Sequence, residues 1–460
     1  MTDLQNPTEA PEEDAYELSP SFVKRVLEAV YAQNTETLIE LLDPLHPADI
    51  ADLLEQIDSG DRRDLLSLCA EELDGDVLSE LDEGLREEVF GYFAPETLAE
   101  AVRDLDSDDV VDLLEDLEKP QQDAILEALD DMDRVAVQNS LSYPEESAGR
   151  LMQREVVIAP MHWNVGEAID FLRKDEELPE QFYHMILIDP MMRPTGYVTL
   201  GKLLGAPRST RLADLQEESF RTIPATQPEA DVAYAFNQYH LISAPVVDDS
   251  GRLVGVITID DAMNVLDEEH EEDIMRLAGV GEGSLSDRLW ETAKQRFPWL
   301  AVNLFTAILA SRVIVQFEAT ISQLVVLAAL MPIVASMGGN AGTQSLTVTV
   351  RALATKDLTA RNTWRIVRRE SFVGLLNGLL FASVLGVIGL LWYGSAGLGM
   401  VLAAAMIINL FVAGLVGVVV PVVLDKVGVD PALASGTFVT TMTDVTGFFA
   451  FLGLATLVLL

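Results

Sequence analysis

The sequence predicts a multi-domain protein: an α-helical solenoid, a tandem α/β module, and a polytopic α-helical membrane domain with five transmembrane helices. Three observations carry that expectation. Charge and apolar residues are segregated along the chain, apolar positions recur every twelve residues in its first third, and five long apolar stretches fill its last third.

Of the 30 basic and 74 acidic residues, eight and six lie from Phe297 onward, leaving 22 and 68 in the first 296. A chain of 460 residues that is 49% hydrophobic yet carries a formal net charge of −44 is thereby an acidic soluble part joined to a nearly neutral membrane part. It has room for about three domains. So acidic a surface repels nucleic acid and anionic lipid headgroups, and cations are its natural counter-charge. The single cysteine, Cys69, excludes an intramolecular disulfide and fits a reducing compartment. Its expected role is that of a small buried hydrophobe. Residues 1–20 are acidic and lack the basic and apolar regions of a signal peptide, so they are expected as a disordered leader.

Residues 21–141 are expected as an acidic helical N domain. Leu45, Ile57, Cys69, Leu81, Phe93, Leu105, Leu117, Leu129 and Leu141 fall every twelve residues. Leu53, Leu65, Val77, Val89, Ala101, Leu113, Ile125 and Val137 form a second column at that spacing. Twelve residues suit a helix of about two turns plus a tight turn, stacked into a solenoid. The stretches around Pro47 and Pro95 have the proline and first-turn acid of a helix start, with His46 a surface turn residue. Asp108 and Asp112 stand four apart, on one helical face; a solvated acidic face is the ordinary reading of such a pair.

Between residues 142 and 266 the pattern turns to short strands and helices, and it occurs twice. In the second copy the strand Phe220–Pro224 leads to a helix over Ala230–Tyr239 and a strand at Ala244–Asp248. A strand at Leu253–Thr258 and a helix from Ile259 follow. In the first copy Asp189, Gly196 and Thr199 match Asp248, Gly255 and Thr258. This arrangement resembles a tandem pair of CBS domains. The resemblance implies an adenosine nucleotide such as ATP at Thr258 and Asp261, since Gly255-x-x-Thr258-x-x-Asp261 is a spacing with which such modules hold ribose. Lys202 replaces the acid in the first copy, and Thr and Asp are also ordinary helix caps.

Six of the seven residues from Asp267 to Asp273 are acidic. They are expected to open a helix, within a connecting segment 267–296, that runs towards Trp290 and Phe297. The helix dipole accounts for one or two acids at an N-terminus. The remainder call for a cation, and oxygen ligands without clustered Cys or His select a hard ion such as Mg²⁺ or Ca²⁺.

The membrane domain, residues 297–460, contains apolar stretches near 297–317, 322–350, 371–393, 398–424 and 431–458. Each spans the roughly 30 Å of hydrocarbon at about 1.5 Å per residue. Six Lys/Arg residues between Arg351 and Arg369 place that loop in the cytoplasm by the positive-inside rule. Five crossings then place the acidic domains in the cytoplasm too, in a multi-pass protein of the cell's inner (plasma) membrane. Inside the second stretch, Pro332, Gly338, Gly339, Asn340, Gly342, Thr343, Gln344 and Ser345 predict a broken helix lining protein or water. Close helix packing through small residues is the other reading, and Gly374, Gly378, Gly414 and Gly417 also suit tight helix contacts. Asp444 falls about 20 Å into the last helix, where a charge costs on the order of 3 kcal/mol and must face an interior or water. A hydrogen bond to Thr440, Thr443 or Thr446 would make it structural instead. No Ser-His pair, His cluster or phosphate-binding loop points to an enzyme, and an intramembrane aspartyl protease would need a second central acid.

Gly338-Gly-Asn-Ala-Gly-Thr-Gln-Ser345, Arg351-Ala-Leu-Ala354, Asp430-Pro-Ala432 and Thr443-Asp-Val-Thr-Gly447 together resemble the signature of the MgtE magnesium channels. The domain order agrees over nearly the whole chain. The resemblance implies a Mg²⁺ channel or transporter for magnesium uptake and a homodimer with its conduction path at the centre; Asp444 with Asn340, Thr hydroxyls and carbonyls freed at 338–345 are expected to line that path. It implies a plug helix at 267–296 whose acids bind Mg²⁺ in the closed state, and regulatory Mg²⁺ sites involving Asp108, Asp112, Asp261, Glu269, Glu272, Asp273 and Asp430. Thr437 stands where the family usually carries proline, and Asn264 where relatives carry an acid. The alternative is a membrane-anchored divalent-cation sensor that acts through a protein partner and transports nothing. A CBS-regulated anion channel is disfavoured by Asp444.

Overall fold

The first three short helices begin where the sequence supplies a cap, with Ser19, Asn34 and His46 each accepting from a backbone N–H of the first turn. The structure, a computed structural model, describes residues 18–460 except 70–74, 116, 118, 130, 175–177, 180, 218, 281–288 and 360. The leader expected over residues 1–20 lies, up to position 17, outside the described residues. Two compact units divide the chain, one ending at Leu266 and the other running from Asp267 to Leu460.

The first unit opens with α1 (Pro20–Tyr31), α2 (Thr35–Leu42), α3 (Pro47–Gln56), α4 (Ser59–Cys69) and α5 (Gly75–Ser79). It continues with α6 (Glu83–Phe90), α7 (Pro95–Ala101), α8 (Ser107–Glu115), α9 (Lys119–Ala128) and α10 (Asp131–Ser140). Pro47 starts α3, where a missing N–H costs nothing; the His46 ring accepts from Ala48 N at 3.3 Å, and Asp49 accepts from His46 N at 3.2 Å. His46 is therefore a helix cap rather than a plain turn residue. Pro95 starts α7 with Glu96 in its first turn. Every member of both twelve-residue columns, Cys69 included, belongs to or packs against one hydrophobic cluster. Helices this short are marginal alone, so burying both columns against neighbouring repeats is what stabilises them.

A longer period is hidden beneath that one. The buried Arg62 guanidinium donates to the carbonyls of Leu54 and Ile57 at 2.7 and 3.0 Å and pairs with Glu88 at 2.9 Å. Arg86, two repeats later, donates to the carbonyls of Leu81 and Ser79 at 2.8 and 3.0 Å and pairs with Asp112 at 2.9 Å. Each arginine thus satisfies carbonyls left open between two short helices and ties them to an acid farther along the solenoid.

The duplicated α/β module follows. Its first copy is β1 (Ile158–Pro160), α11 (Val165–Leu172), β2 (His184–Ile188), β3 (Pro194–Thr199) and α12 (Leu200–Gly205). Its second is β4 (Ile223–Pro224), α13 (Glu229–Tyr239), β5 (Ser243–Val247), β6 (Leu253–Thr258) and α14 (Ile259–Leu277). Each copy builds a three-stranded sheet with one parallel and one antiparallel pairing. The registers repeat: Leu187 faces Gly196 as Val246 faces Gly255, with an irregularity just beyond in both. Asp189 Oδ1 accepts from Met191 N and Arg193 N at 2.8 and 2.9 Å, and Asp248 Oδ1 accepts from Ser250 N and Arg252 N at 2.8 Å each. His184 and Ser243, equivalent positions of the two copies, hydrogen-bond to each other. The strand expected over Phe220–Pro224 pairs only at Ile223 and Pro224.

Among the described residues, five helices of the second unit are long and apolar enough to cross a membrane. These are α15 (Leu289–Gln316, apolar from Thr292), α17 (Val326–Ala354), α18 (Thr363–Tyr393), α19 (Ala396–Val427) and α20 (Pro431–Leu459), with the short α16 (Glu318–Gln323) between the first two. Small residues set the closest approaches. A Cβ at Gly374 would lie 2.3 Å from the Leu410 carbonyl oxygen, and one at Gly414 2.5 Å from that of Glu370, so α18 and α19 pack backbone to backbone.

Two expectations are corrected here. The helix carrying the acid run begins at Ile259, so residues 267–273 occupy its second half, and it ends at Leu277. The dipole of a helix start therefore explains none of those acids. Trp290 and Phe297 belong to the separate α15, and part of the intervening segment, 281–288, lies outside the described residues. The break expected at 338–345 is absent: α17 is one uninterrupted helix. The glycines serve packing instead, since a Cβ at Gly338 would lie 2.2 Å from the Asn409 amide and one at Gly342 2.6 Å from Val439.

Candidate functional site

In the first unit the start of α8 meets the junction of β6 with α14. Asp108 is buried, with 8% of its surface exposed, and burial first and Asp261 second raise its pKa well above the usual carboxylate range. Asp109 is pushed up to about 7 by burial, then by Asp261 and Asp106. Asp261 is raised to about 7 by burial, then by Asp260, against hydrogen bonds from Thr258. Asp106 is raised by burial and then by Glu155. Among the described residues no basic side chain pairs with Asp106, Asp108, Asp109, Asp260 or Asp261. Side-chain bonds hold the surroundings: Gln153 Nε2 donates to Asp106 at 3.1 Å, and Ser107 Oγ donates to Glu155 at 2.9 Å. So the structure brings Asp108 and Asp261 together. Asp112, expected beside Asp108, is instead more than half exposed and bound to Arg86.

Crowded, desolvated carboxylates without cationic partners must hold protons or recruit cations. Among the described residues no three Asp, Glu, His or Cys side chains converge as a ready metal cage. A Mg²⁺ ion that keeps several of its waters needs only one or two direct carboxylates, which Asp108 and Asp261 are the residues here that could supply.

Thr258 Oγ1 donates to Asp261 Oδ2 at 2.8 Å and also bonds Asp260, while Thr258 N donates to Asp261 at 3.4 Å. Both bonds to Asp261 run from Thr258 to the carboxylate three residues on, in the first turn of α14. In the first copy the direction is reversed: Thr199 caps α12 by accepting from Lys202 N, and Lys202 pairs with Glu217 at 2.9 Å. A cavity of about 850 Å³ is lined by Lys202, Asp214, Gln216, Glu217 and Ser219, and Thr258 and Asp261 are not in its walls.

In the second unit the acids on α14 sort by face. Glu269, Glu272 and Asp273, spaced i, i+3, i+4, are half-buried, whereas Asp267, Glu268, His270 and Glu271 are exposed. Arg276 continues the stripe, pairing with Glu272 at 2.7 Å and with Asp430 at 3.4 Å. Asp430 also caps α20, its Oδ1 accepting from Ala432 N at 2.7 Å. Burial raises the Asp273 carboxyl, and the facing Asp430 adds to the shift. Leu277, at the end of α14, packs with Leu346, Val350 and Ala432 where α17 and α20 approach each other. Asp273, Glu272 and Asp430 are thereby gathered at the foot of the membrane helices.

Along α17 the polar residues form a stripe. Ser336, Asn340, Thr343, Gln344 and Thr347 are all exposed and follow helical spacing, while Gly338, Gly342, Ser345 and Thr349 form the packed face. Midway along the 29-residue α20, Asp444 is half-buried, in line with Thr437 and Thr440 at i−7 and i−4. Its carboxylate has no hydrogen-bond or ion-pair partner among the described residues, and neither has the Asn340 side chain. Thr443 Oγ1 donates to the Thr440 carbonyl at 2.9 Å instead. At Thr437 α20 stays unbroken.

Three polar residues of this unit escaped the sequence reading. Glu370 lies inside α18 and accepts from Ser345 Oγ at 3.1 Å. Arg276 completes the acid stripe. Asn409, fully buried on α19, donates to the Val334 carbonyl at 2.8 Å. A lone amide inside an otherwise apolar membrane run was the signal for Asn409.

Comparison with known proteins identifies the domains and the family. Residues 45–146 match the MgtE intracellular N domain, residues 212–268 the CBS domain, and residues 331–454 the MgtE divalent cation transporter family. The chain is 32% identical to the magnesium transporter MgtE of Thermus thermophilus over 441 residues, covering 94% of this chain and 97% of that one. It is 29% identical to the magnesium transporter MgtE of Bacillus subtilis over 417 residues, covering 90% and 92%. A crystal structure of the cytosolic domain of the Mg²⁺ channel MgtE in complex with ATP is 29% identical, with a TM-score of 0.49, covering 53% of this chain and 99% of that one.

Proposed function

Since the chain belongs to the MgtE family of magnesium transporters, we propose that it carries Mg²⁺ through the membrane along a path selected by Asp444 and closed by cytosolic Mg²⁺. The observation that supports this most directly is Asp444 itself, a half-buried carboxylate midway along a membrane helix with no partner among the described residues. A carboxylate at that depth costs on the order of 3 kcal/mol unless it faces water or a counter-ion. Mg²⁺ sheds its waters reluctantly, so a wide, wet path with a single acid suits a partly hydrated ion.

The exposed stripe of Asn340, Thr343, Gln344 and Thr347 on α17 is equally unsuited to lipid. A second copy of the chain, packed so that the two stripes enclose the path, would cover it. In this reading the acidic domains lie in the cytoplasm. Mg²⁺ bound among Asp108, Asp109 and Asp261, and among Glu269, Glu272, Asp273 and Asp430, neutralises carboxylates that otherwise repel, and so favours the closed form. The CBS pair is where an adenosine nucleotide would add to that control, with Thr258 and Asp261 the residues that would hold its ribose.

The test is Mg²⁺ flux into vesicles reconstituted with the whole chain. Asp444→Asn keeps size and hydrogen-bonding capacity but removes the charge; flux falls to the protein-free leak while membrane insertion persists. Undiminished flux overturns the assignment of Asp444. A wild-type protein that passes no ion at all would favour a sensor merely anchored in the membrane.

A further inference from the structure

Asn409 stands at a three-helix junction. Midway along α19 and with no exposed surface, its Nδ2 donates to the Val334 carbonyl of α17 at 2.8 Å. Its Oδ1 is buried without a hydrogen-bond partner among the described residues. Two glycines on two other helices make room for it. A Cβ at Gly338 on α17 would lie 2.2 Å from the amide nitrogen, and one at Gly447 on α20 would lie 2.8 Å from it. Gly338 lies two residues before Asn340, and Gly447 three residues after Asp444. The amide therefore touches, through its cradle, both helices that carry the proposed path residues.

Packing alone does not call for an amide. An apolar side chain of similar size would fill the junction without an unsatisfied oxygen. What the amide adds is direction: one short bond to one carbonyl of α17 fixes the height and rotation of that helix against α19, and the glycine on α20 fixes the third helix against the same group. We propose that Asn409 is a positioning residue for ion selection, holding α17 and α20 at the separation at which the polar stripe and Asp444 recognise the hydrated dication. This rests on Asp444 being the selecting carboxylate.

The experiment compares Mg²⁺ flux and the Mg²⁺-to-Ca²⁺ flux ratio in vesicles for wild type, Asn409→Leu, Gly338→Ala, Gly338→Ala with Asn409→Ala, and Asp444→Asn. Asn409→Leu is expected to insert normally yet to lose about tenfold in Mg²⁺ flux and to narrow the ratio, a loss of discrimination that a packing role alone would not cause. Gly338→Ala is expected to fail through collision with the amide, and removing that amide in the double variant restores much of the flux. If Asn409→Leu does not fold, the comparison of Gly338→Ala with its double variant decides. Wild-type flux and ratio in Asn409→Leu, or a double variant no better than Gly338→Ala, overturns the proposal. When Asp444→Asn is inactive in the same series, only the positioning role has failed; when it is active, the path assignment has failed first.

Discussion

Raising the pH of the metal-free protein should loosen the acidic unit, and the size of the effect follows from Asp109 and Asp261. Both carboxyls are raised from 3.8 to about 7 on folding, chiefly by burial. The folded state therefore keeps protons that the unfolded chain surrenders above about pH 4, so their contribution to stability is greatest at acid pH and is lost as pH rises through about 7. One proton per group corresponds to about 1.4 kcal/mol per pH unit, a ceiling of about 5 kcal/mol for two groups between pH 5 and 7. Mutual repulsion and partial hydration reduce this to about 2–3 kcal/mol. For a unit of this size that is roughly 5–10 °C in its thermal transition, read on the whole chain in detergent with EDTA present. Mg²⁺ at a hundred times its dissociation constant would return about 2.7 kcal/mol at the alkaline end. Asp109→Asn with Asp261→Asn should flatten both the pH slope and the Mg²⁺ response. A transition that stays level or rises from pH 5 to 7 in the wild type would refute the burial argument.

Neutralising Glu269, Glu272 and Asp273 together to Gln, Gln and Asn should leave vesicle Mg²⁺ flux intact while raising the internal Mg²⁺ needed to inhibit it about tenfold. A triple variant that closes at the wild-type concentration removes α14 from the sensing role. Arg86→Leu, which strips the buried guanidinium from the Leu81 and Ser79 carbonyls and from Asp112, should destabilise the solenoid by about 2–4 kcal/mol in denaturant titrations. A loss below about 0.5 kcal/mol would show that water substitutes freely at those carbonyls.

The solenoid and the duplicated module were legible because each repeats, and repetition exposes a pattern that one copy would hide. Leu53, Leu65 and Val77 recur at the spacing that also returns the chain to the core, and Gly196 and Gly255 recur at one register of two sheets. The five membrane helices were legible from length and apolarity alone. The glycine-rich run of α17 misled because composition does not say which face a residue occupies. Gly338 and Gly342 lie on the packed face and Asn340 and Gln344 on the exposed one, so one continuous helix accommodates what looked like a break. Asp112 misled for a related reason. Its i, i+4 spacing from Asp108 was visible, but the arginine that binds it comes from two repeats earlier, and no local pattern reports a partner at that distance. Arg276 and Asn409 were hidden because each acts across helices far apart in sequence.

The number of acids in the two proposed regulatory clusters follows from the proposed gating. Moving a two-state gate from almost wholly open to almost wholly closed takes about 5.5 kcal/mol of differential binding. One exposed carboxylate pair that prefers the closed form tenfold supplies about 1.4 kcal/mol, far short of that. Tight binding would not help, because affinity shared equally by both forms shifts nothing. Several weak sites, each present only when its carboxylates are pressed together, do supply it. Such sites must be desolvated and mutually repulsive before the ion arrives, or the ion would gain nothing by the approach. Asp108, Asp109 and Asp261 in one unit, and Asp273 in the other, have that character: burial raises each of these four carboxyls, with neighbouring acids adding to the shift. The single acid of the proposed path would have the opposite task, since an ion that must leave cannot be held by many. On this argument a sensor crowded with carboxylates and a path with one are two answers to the same ion chemistry, one tuned to retain the dication and the other to release it.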